Sequence, residues 1–367
     1  MTVTTTRPAP RTTHDTTGTW YAHAADAPPT TPGRHISTSR AWASAWEQVT
    51  TEPVIAHRHL HLTDGTGPGD LVSYYLVKHS PYWAAVERDA ATGPVFNAPV
   101  VYAGTPYGEY GGAGSANADT IRYAVSAGVD LAREWGAQAL VVPGLTTDLA
   151  HRWTAACRPD ADLFFDLAHT ASVHGSLEGF LTTVPSAKHA KEMRRQRRRG
   201  IEQGLRFRPL HGRAMLPYLP QFTDLAEAAA LKNGGSMYGA DIFTAVADIP
   251  GVLLLAAEHD GNLAGGFLCF HYRDCLYLWA AGIDYPKLRT LHTYTGLMLA
   301  AVDLAADLGA TTIDAGRANY RYKRTAGFHP VALRTLAYFP ARDAATARAL
   351  HAMGHAMEAC AGLRPAA

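Results

Sequence analysis

The spacing of hydrophobic residues along the chain predicts an α/β protein. In the first half, apolar positions predict a capped helix that begins near Ile36, followed by two strands, an amphipathic helix and a short buried strand. The last four elements fall at residues 52–65, 69–80, 121–137 and 138–145. Trp42 and Trp46 are four residues apart in the first helix, so they lie on one face.

The second half shows the same order of elements. The pattern predicts a strand, a helical region, three consecutive strands, a long helix, a buried strand and a last strand, at residues 205–212, 215–234, 251–284, 285–310, 311–316 and 331–339. The three strands are separated by HDGN and YRDC, and Asp-Gly between apolar runs is a strong hairpin signal. The sequence has no repeat of fixed period, so the two halves are similar in element order only.

This order predicts two domains with mixed, mainly antiparallel sheets. A chain of 367 residues is too long for one average domain. We expect a first domain at 36–178, a second at 179–345 that opens with a basic helix, a cleft between them, and a C-terminal helix at 346–367. Residues 1–35 are rich in Thr and Pro, which predicts a disordered or loosely attached arm.

The composition is that of an ordinary globular protein, with 47% hydrophobic and 18% charged residues. Its four cysteines form no CxxC pair, which favours a reducing, cytoplasmic setting without structural disulfides. The N-terminus lacks the apolar stretch of a secretory signal, and no run of 18 apolar residues occurs, so no membrane span is expected. The sequence leaves the oligomeric state open.

Positive charge is concentrated in one short segment. Residues 188–208 hold nine Lys and Arg against two Glu, a net charge of +7 in a chain whose net charge is +1. On a helix, one face carries five of these cations: Lys188, Lys191, Arg194, Arg195 and Arg198. Guanidinium groups donate paired hydrogen bonds to phosphate oxygens, so this face predicts a site for an anionic ligand. The alternative is a solvated charged helix.

Three stretches of the second half resemble one enzyme family. SAKHAKEMRRQRRRGIEQGLRFRPL, the run from AGIDYPKLRT to LGATTIDAG, and NYRYKRTAGF look like the FemABX and peptidoglycan-bridge family. The resemblance implies two tandem GNAT (Gcn5-related acyltransferase) domains. It also implies transfer of an amino acid from aminoacyl-tRNA to an amine, in a peptidoglycan precursor or in a small natural-product intermediate of an antibiotic pathway.

The resemblance further implies which groups meet the donor. Aminoacyl-tRNA is then a donor co-substrate and no cofactor is expected. The basic helix lies near the tRNA, with four candidate phosphate ligands: Lys191, Arg194, Arg195 and Arg198. Tyr322 and Lys323, ahead of Gly327-Phe328, match the aromatic–Lys pair of the family, and a lysine there stabilises the oxyanion formed when an amine attacks an ester.

Two arginines flank that lysine, and carboxylates precede it. Arg317 and Arg324 are placed to assist the oxyanion or to hold the terminal phosphate of the tRNA, although an exposed basic loop is the alternative. Asp314 ends a buried strand, where it either orients the amine and accepts its proton or caps the next turn. Asp284, at the end of the last of the three strands, has the same two interpretations.

Aromatic residues complete the predicted substrate site. Tyr294, one turn into the long helix, lines the pocket or belongs to the core. A Gly-rich loop of the first half supplies candidates for an acceptor pocket between the domains: Tyr107, Glu109 and Tyr110. The GGAGSA sequence in this loop lacks the strand and helix context of a dinucleotide site.

Histidines in two places have metal-ligand spacing. His57, His59 and His61 alternate along one strand, and His351 and His355 are one turn apart on the last helix. No Cys or carboxylate nearby completes the first set, and the second set has no obvious third ligand, so no metal is expected.

Two other functions stay open from the sequence. An N-acyltransferase that uses acyl-CoA needs Arg/Gln-x-x-Gly-x-Gly/Ala at the start of the long helix, where the chain reads DYPKLRTLHTYTGLML. A non-catalytic RNA-binding protein also agrees with the basic segment, but the residues around Asp314 and Lys323, and the lack of an RNA-reading motif, disfavour it.

Overall fold

The protein is built on one mixed sheet with helices packed against it. The computed structural model describes residues 16–49, 54–65, 67–78, 81–105, 107–113, 117–232 and 238–363. Its strands are β1 (Thr17–Tyr21), β2 (Val54–Thr63), β3 (Asp70–Val77), β4 (Val100–Ala103), β5 (Leu140–Thr146), β6 (Ala161–Ser172), β7 (Arg206–His211), β8 (Val252–His259), β9 (Asn262–Tyr272), β10 (Cys275–Ile283), β11 (Thr312–Asp314) and β12 (His329–Tyr338).

The helices connect these strands. They are α1 (Arg40–Trp46), α2 (Pro81–Asp89), α3 (Ala118–Glu134), α4 (Thr147–Ala156), α5 (Leu177–Leu181), α6 (Ala187–Glu202), α7 (Leu219–Lys232), α8 (Ala240–Ala245), α9 (Tyr285–Leu291), α10 (Thr293–Asp307), α11 (Tyr320–Thr325) and α12 (Ala344–Cys360). Among the described residues, no helix has the length and apolar character to cross a membrane.

The strand pairings repeat between the two halves. The sheet order is β1-β2-β3-β4-β5-β12-β6-β11-β10-β9-β8-β7. In the first half β1 to β4 are antiparallel neighbours and β5 joins β4 in parallel. In the second half β7 to β10 are antiparallel neighbours and β11 joins β10 in parallel. This is the predicted tandem GNAT-like architecture with mainly antiparallel strands.

The last strand of each half pairs with the other half. β6 ends the first half but lies beside β11, and β12 ends the second half but lies beside β5. β6 and β12 pair with each other along their length and join both halves in one sheet. Residues 168–172, close to the predicted limit between the domains at 178/179, belong to β6 and continue the sheet. The domain limits themselves remain a prediction.

The prediction that residues 1–35 form a disordered or loosely attached arm needs a correction. β1 pairs with β2 from Thr17↔Thr63 to Tyr21↔His59, so this stretch belongs to the sheet despite its Thr-rich composition. Thr and aromatic residues suit a strand, and here an exposed edge was available. Residues 1–15 of the predicted arm lie outside the described residues.

Local signals explain several element boundaries. The β8–β9 turn has left-handed backbone at Asp260 and Gly261, as an Asp-Gly hairpin requires. The basic helix α6 begins after Ser186, whose side chain accepts a hydrogen bond from the backbone N–H of His189. The predicted long helix at 285–310 is instead two helices, because His292 has a left-handed backbone (φ 52°) that breaks the run between α9 and α10.

The aromatic face of α1 contacts the second half of the chain. The rings of Trp42 and Trp46 stack with centroids 5.4 Å apart, and Trp279 of β10 lies edge-on to both. Trp42 also donates a hydrogen bond from Nε1 to Thr105 Oγ1. The predicted shared face of the two tryptophans is thus buried between the halves.

Candidate active site

Asp314 and Tyr110 are hydrogen-bonded across the two halves. Asp314 ends β11 and is 3% exposed. Its Oδ1 accepts the backbone N–H of Gly316 at 2.8 Å, and its Oδ2 accepts the hydroxyl of Tyr110. Burial raises the pKa of Asp314 despite these two donors. His35 stacks on the Tyr110 ring with centroids 3.7 Å apart, so an aromatic wall borders the carboxylate.

Glu109, beside Tyr110, forms an ion pair with Arg317. Glu109 Oε2 lies 3.2 Å from Arg317 Nε, and the two side chains are 16% and 14% exposed. The other oxygen, Oε1, is buried and accepts no hydrogen bond from the described part of the chain. Burial raises the pKa of Glu109 to about 7, against the opposing effect of Arg317. A carboxyl with this pKa accepts and releases a proton near neutral pH.

Close backbone packing fixes the loop that carries Glu109. Gly144 in β5 has φ 64°, and a Cβ there would lie 2.5 Å from the backbone oxygen of Glu109. A Cβ on Gly111 would lie 2.3 Å from the backbone oxygen of Pro143. Only glycine fits at either position, so Gly111 of the loop and Gly144 of β5 allow the two backbones to pack closely.

Lys323 lies beneath the Asp314–Arg317 turn. It is on α11 and is 3% exposed. Its Nζ donates hydrogen bonds to the backbone oxygens of Gly316, at 3.0 Å, and of Arg317. Burial lowers the pKa of Lys323 to about 8, while Glu109, Asp314 and other carboxylates oppose the change. Lys323 thus holds the turn that carries Arg317 and adds positive charge beside the carboxylates.

Sequence reasoning missed a second set of groups in this cluster. Asp166 of β6 accepts a hydrogen bond from the Tyr320 hydroxyl, and His169 of the same strand stacks on Tyr320 with ring centroids 5.5 Å apart. Burial, assisted by Lys323, lowers the pKa of His169 to about 4. A signal was available, because Asp166 interrupts the apolar run LFFDLA. His35 was missed because its segment was assigned to the arm.

The structure places two predicted site tyrosines elsewhere. Tyr322 donates a hydrogen bond to Thr295 Oγ1 at 3.1 Å, and its ring contacts Tyr294 at 5.0 Å between centroids. Both tyrosines pack in the hydrophobic cluster around α10. Adjacent residues of a helix point in different directions, so Tyr322 packs against α10 while Lys323 contacts the backbone of Gly316 and Arg317.

Three other candidates make separate contacts. Asp284 precedes α9, and its Oδ2 lies 3.2 Å from Lys287 Nζ. Arg324 is exposed and donates a hydrogen bond to the backbone oxygen of Ala361 at 3.4 Å. Tyr107 is buried against Trp46, with ring centroids 5.6 Å apart. Of the predicted residues, the fold therefore gathers Glu109, Tyr110, Asp314, Arg317 and Lys323.

A small cavity opens beside the gathered residues. Four aromatic side chains and two carboxylates contribute to its wall. It is lined by Ile36, Ser37, Trp42, Glu109, Tyr110, Tyr277, Leu278, Trp279, Asp314 and Gly316. Its volume of about 20 Å³ admits a group about the size of one water molecule or one amine nitrogen.

The predicted basic helix forms, but several of its cations have acidic partners. α6 contains seven Lys and Arg and two Glu, a net charge of +5. Four arginines are in ion pairs, which are Arg194–Glu178, Arg195–Glu192, Arg197–Asp303 and Arg198–Glu202. Lys188, Lys191 and Arg199 are exposed and have no ion pair within the described ranges. Of these three cations, Lys188 and Lys191 belong to the predicted face, whereas Arg199 was not predicted.

Arg199 also lines a surface groove at the break between α9 and α10. The other residues of the groove are Glu202, Gln203, Arg289, Thr290 and His292. The N-terminus of α10 lies beside this groove, because His292 both lines the groove and precedes the helix. Helix N-termini attract anions. The groove is therefore a second candidate for phosphate binding that sequence reasoning did not find.

A protein family model matches part of the second half. Residues 187–324 match the family model described as an acetyltransferase (GNAT) domain. This match supports acyltransferase activity and contains α6, Asp314 and Lys323. No curated protein matches the sequence.

Several solved structures are similar to this chain at low sequence identity. A crystal structure of FemX is similar, with a TM-score of 0.58 at 10% identity over 83% of this chain and 93% of that one. A tandem GNAT protein from the clavulanic acid biosynthesis pathway has a TM-score of 0.49 at 13% identity, covering 88% of this chain and 93% of its own. The L-PGS of Bacillus licheniformis has a TM-score of 0.48 at 12% identity, covering 75% and 82% respectively. The chain thus carries a GNAT domain and has the fold of FemX, which confirms the resemblance inferred from the sequence.

Proposed function

We propose that this protein is an aminoacyltransferase that moves an amino acid from aminoacyl-tRNA to an amine and forms an amide. The observation that carries the proposal is the buried cluster of Glu109, Arg317, Asp314 and Lys323 beside an aromatic cavity. The GNAT match and the FemX fold support acyl transfer in general. The cluster supplies the two functions that aminolysis of an ester needs, a base and a positive group.

In the proposed reaction the amine nitrogen attacks the ester carbonyl of the donor. Oε1 of Glu109 takes the proton that the amine loses, since its pKa is near neutrality and the atom is free of protein donors among the described residues. The tetrahedral intermediate then collapses and the C–O bond to the ribose breaks. Glu109 returns the proton to the leaving ribose oxygen, so the products are the amide and the free ribose hydroxyl of the tRNA. Asp314, fixed by Tyr110 and Gly316, orients the amine.

Positive charge stabilises the oxyanion of that intermediate. Lys323 donates two of its three hydrogens to backbone oxygens, which leaves one hydrogen for the oxyanion. Arg317 is the next choice, and its guanidinium also lies 5.7 Å over the ring of Phe165. In a buried site a placed cationic donor lowers the barrier more than it would in water.

The basic surface supports a donor with phosphate groups. The exposed cations of α6 and the groove with Arg199 and Arg289 lie in the same half of the chain as Lys323. Arginine and lysine side chains bind phosphate oxygens, and a helix N-terminus adds to the attraction. The donor thus binds at this surface and extends its ester toward the cluster.

The aromatic cavity suits an amine acceptor. Tyr110, Tyr277 and the tryptophans present ring faces and edges, and a protonated amine is attracted to such faces. Peptidoglycan precursors and small natural-product intermediates both provide amines of this kind. The acceptor class is accordingly a primary amine on a larger polar molecule.

A second candidate is an N-acyltransferase that takes its acyl group from acyl-CoA. The groove beside α10 favours it, because a pyrophosphate fits at a helix N-terminus. The same cluster would then deprotonate the amine that attacks a thioester. A non-catalytic RNA-binding protein has no use for a buried carboxyl whose pKa is near 7, so the cluster disfavours it.

The test compares donors directly. The protein is incubated with charged total tRNA and a panel of amines, with and without ribonuclease, beside parallel reactions with acyl-CoAs. Amide formation that ribonuclease abolishes supports the proposal. Amide formation that needs acyl-CoA and survives ribonuclease reverses the order of the two candidates.

A further inference from the structure

Three parts of the chain bring metal-ligating side chains together at the edge of the first half. His23 follows β1, Glu47 follows α1, and His57 lies in β2. His23 Nδ1 is 2.9 Å from Glu47 Oε2, and His57 Nε2 is 3.8 Å from the same oxygen. All three atoms lie within 4.8 Å of one another. The fold thus supplies a carboxylate ligand that the sequence pattern did not identify.

From this arrangement we propose a binding site for a divalent transition-metal ion, with Zn²⁺ as the best match. Two imidazole nitrogens and one carboxylate oxygen form a common Zn²⁺ donor set, with bonds of about 2.0–2.2 Å. Donor atoms bound tetrahedrally at that length lie roughly 3.3–3.6 Å apart. The observed separations of 2.9 and 3.8 Å lie on either side of this spacing, so small side-chain rotations bring the three atoms to it.

Neighbouring groups hold the carboxylate in this orientation. Glu47 Oε1 accepts the backbone N–H of Ala24 at 2.7 Å, which directs Oε2 toward the two histidines. The fully buried Nε2 of His59 lies 3.0 Å from Glu47 Oε1, but the two atoms are not aligned for a hydrogen bond. The other ring nitrogen of His59, Nδ1, contacts Ser73 Oγ at 2.8 Å. Partners that orient a ligand in this way are a regular part of metal sites. His61, the third histidine of the strand, packs against Gly69 instead.

Exposure indicates how the site is completed. The His23 side chain is 63% exposed, whereas those of His57 and Glu47 are 26% and 11% exposed. Three protein ligands with one exposed side leave the fourth tetrahedral position for water or for an exogenous ligand. A bound ion would connect the β1 segment, the end of α1 and β2, so it would stabilise the edge of the sheet.

The test uses the untagged full chain freed of metal with a chelator. Zn²⁺ alone is titrated by calorimetry, and thermal unfolding is followed with and without Zn²⁺. We expect one ion per chain and a rise in Tm. His23→Ala and His57→Ala should each weaken Zn²⁺ binding at least tenfold, and the matched control His351→Ala, an exposed histidine on α12, should leave it unchanged.

A second measurement keeps the outcome interpretable if His57→Ala folds poorly. Co²⁺ is added in place of Zn²⁺, and its visible spectrum reports tetrahedral nitrogen and oxygen ligands in the wild type and their loss in His23→Ala, whose site is at the surface. Circular dichroism confirms that the variants are folded. If the wild type binds no Zn²⁺ at micromolar concentration, or if His23→Ala and the control bind equally, the cluster is a hydrogen-bonded polar group only and the proposal is wrong. Neither result bears on acyl transfer.

Discussion

Glu109 and Arg317 form an ion pair at 3.2 Å although they belong to different halves of the chain. Glu109 lies in the loop between β4 and α3, and Arg317 follows β11. Both are largely buried, and Lys323 holds the backbone oxygen of Arg317 from below. The pair therefore requires both halves to be folded and joined, which places the proposed chemistry at their junction.

Replacing Glu109 by Gln tests the proposed base. The amide keeps the size of the side chain but cannot accept the proton of the amine. We expect turnover to fall by about 10²–10⁴-fold while donor affinity is nearly unchanged. Single-turnover kinetics and donor binding are measured separately, with Glu134→Gln, at an exposed position of α3, as the control. Normal turnover in Glu109→Gln would assign the proton transfer to another group.

The pH dependence of the reaction follows from two buried groups. Burial raises the pKa of Glu109 to about 7, so its basic form increases as the pH rises through that value. Burial lowers the pKa of Lys323 to about 8, so its charge is lost above that value. We expect a bell-shaped profile of kcat/KM with a maximum between them. Glu109→Gln should lose the acidic limb, and an unchanged acidic limb in this variant would contradict the assignment.

The same raised pKa predicts how stability changes with pH. The native protein keeps a proton on Glu109 at pH values where the unfolded chain, with an ordinary pKa of 4.5, has released it. The contribution of this group to stability is therefore present below pH 4.5 and is lost as the pH rises through about 7. Urea unfolding from pH 5 to 8 should show a smaller decline in Glu109→Gln than in the wild type. Parallel curves for the two proteins would contradict the raised pKa.

Lys323→Met tests the positive group. The substitution keeps the length of the side chain and removes its charge. We expect turnover to fall by about two to three decades, since a charged oxyanion donor contributes about 3–4 kcal/mol in the transition state, with donor affinity nearly kept. Lys287→Met, at a half-exposed lysine paired with Asp284, is the matched control. If Lys323→Met keeps near-normal turnover, Arg317 or a backbone N–H stabilises the oxyanion.

The basic helix is tested by charge removal at its free cations. Lys188→Ala, Lys191→Ala and Arg199→Ala combined should weaken tRNA binding. The slope of log affinity against log salt should become shallower by about one for each phosphate that the variant no longer neutralises. Reversal of Arg194, Arg195 and Arg198 to Glu should also weaken binding, but it disrupts three ion pairs as well. Lys78→Ala is the control, an exposed lysine outside the helix. An unchanged salt slope in the triple Ala variant would exclude these three cations from tRNA binding.

Local sequence alone determined much of the secondary structure. Asp260-Gly261 specified a hairpin turn because glycine adopts a left-handed backbone at little cost. Ser186 and the spacing of charges specified the basic helix, and the order of strands and helices specified two GNAT-like halves. These signals act between residues close in sequence, where backbone preference and side-chain spacing decide the outcome.

Tertiary structure decided which residues meet. β6 of the first half pairs with β11 of the second, and β12 of the second half pairs with β5 of the first. No local sequence pattern predicts this exchange, because the position of a strand in a sheet depends on the pairing of whole strands. The exchange brings Asp166 of β6 and Asp314 of β11 into adjacent strands, close to Lys323. The β4–α3 loop packs against the second half, and Glu109 there forms its ion pair with Arg317, which is 208 positions away in sequence. The sequence determined the chemical groups, and long-range packing determined their distances.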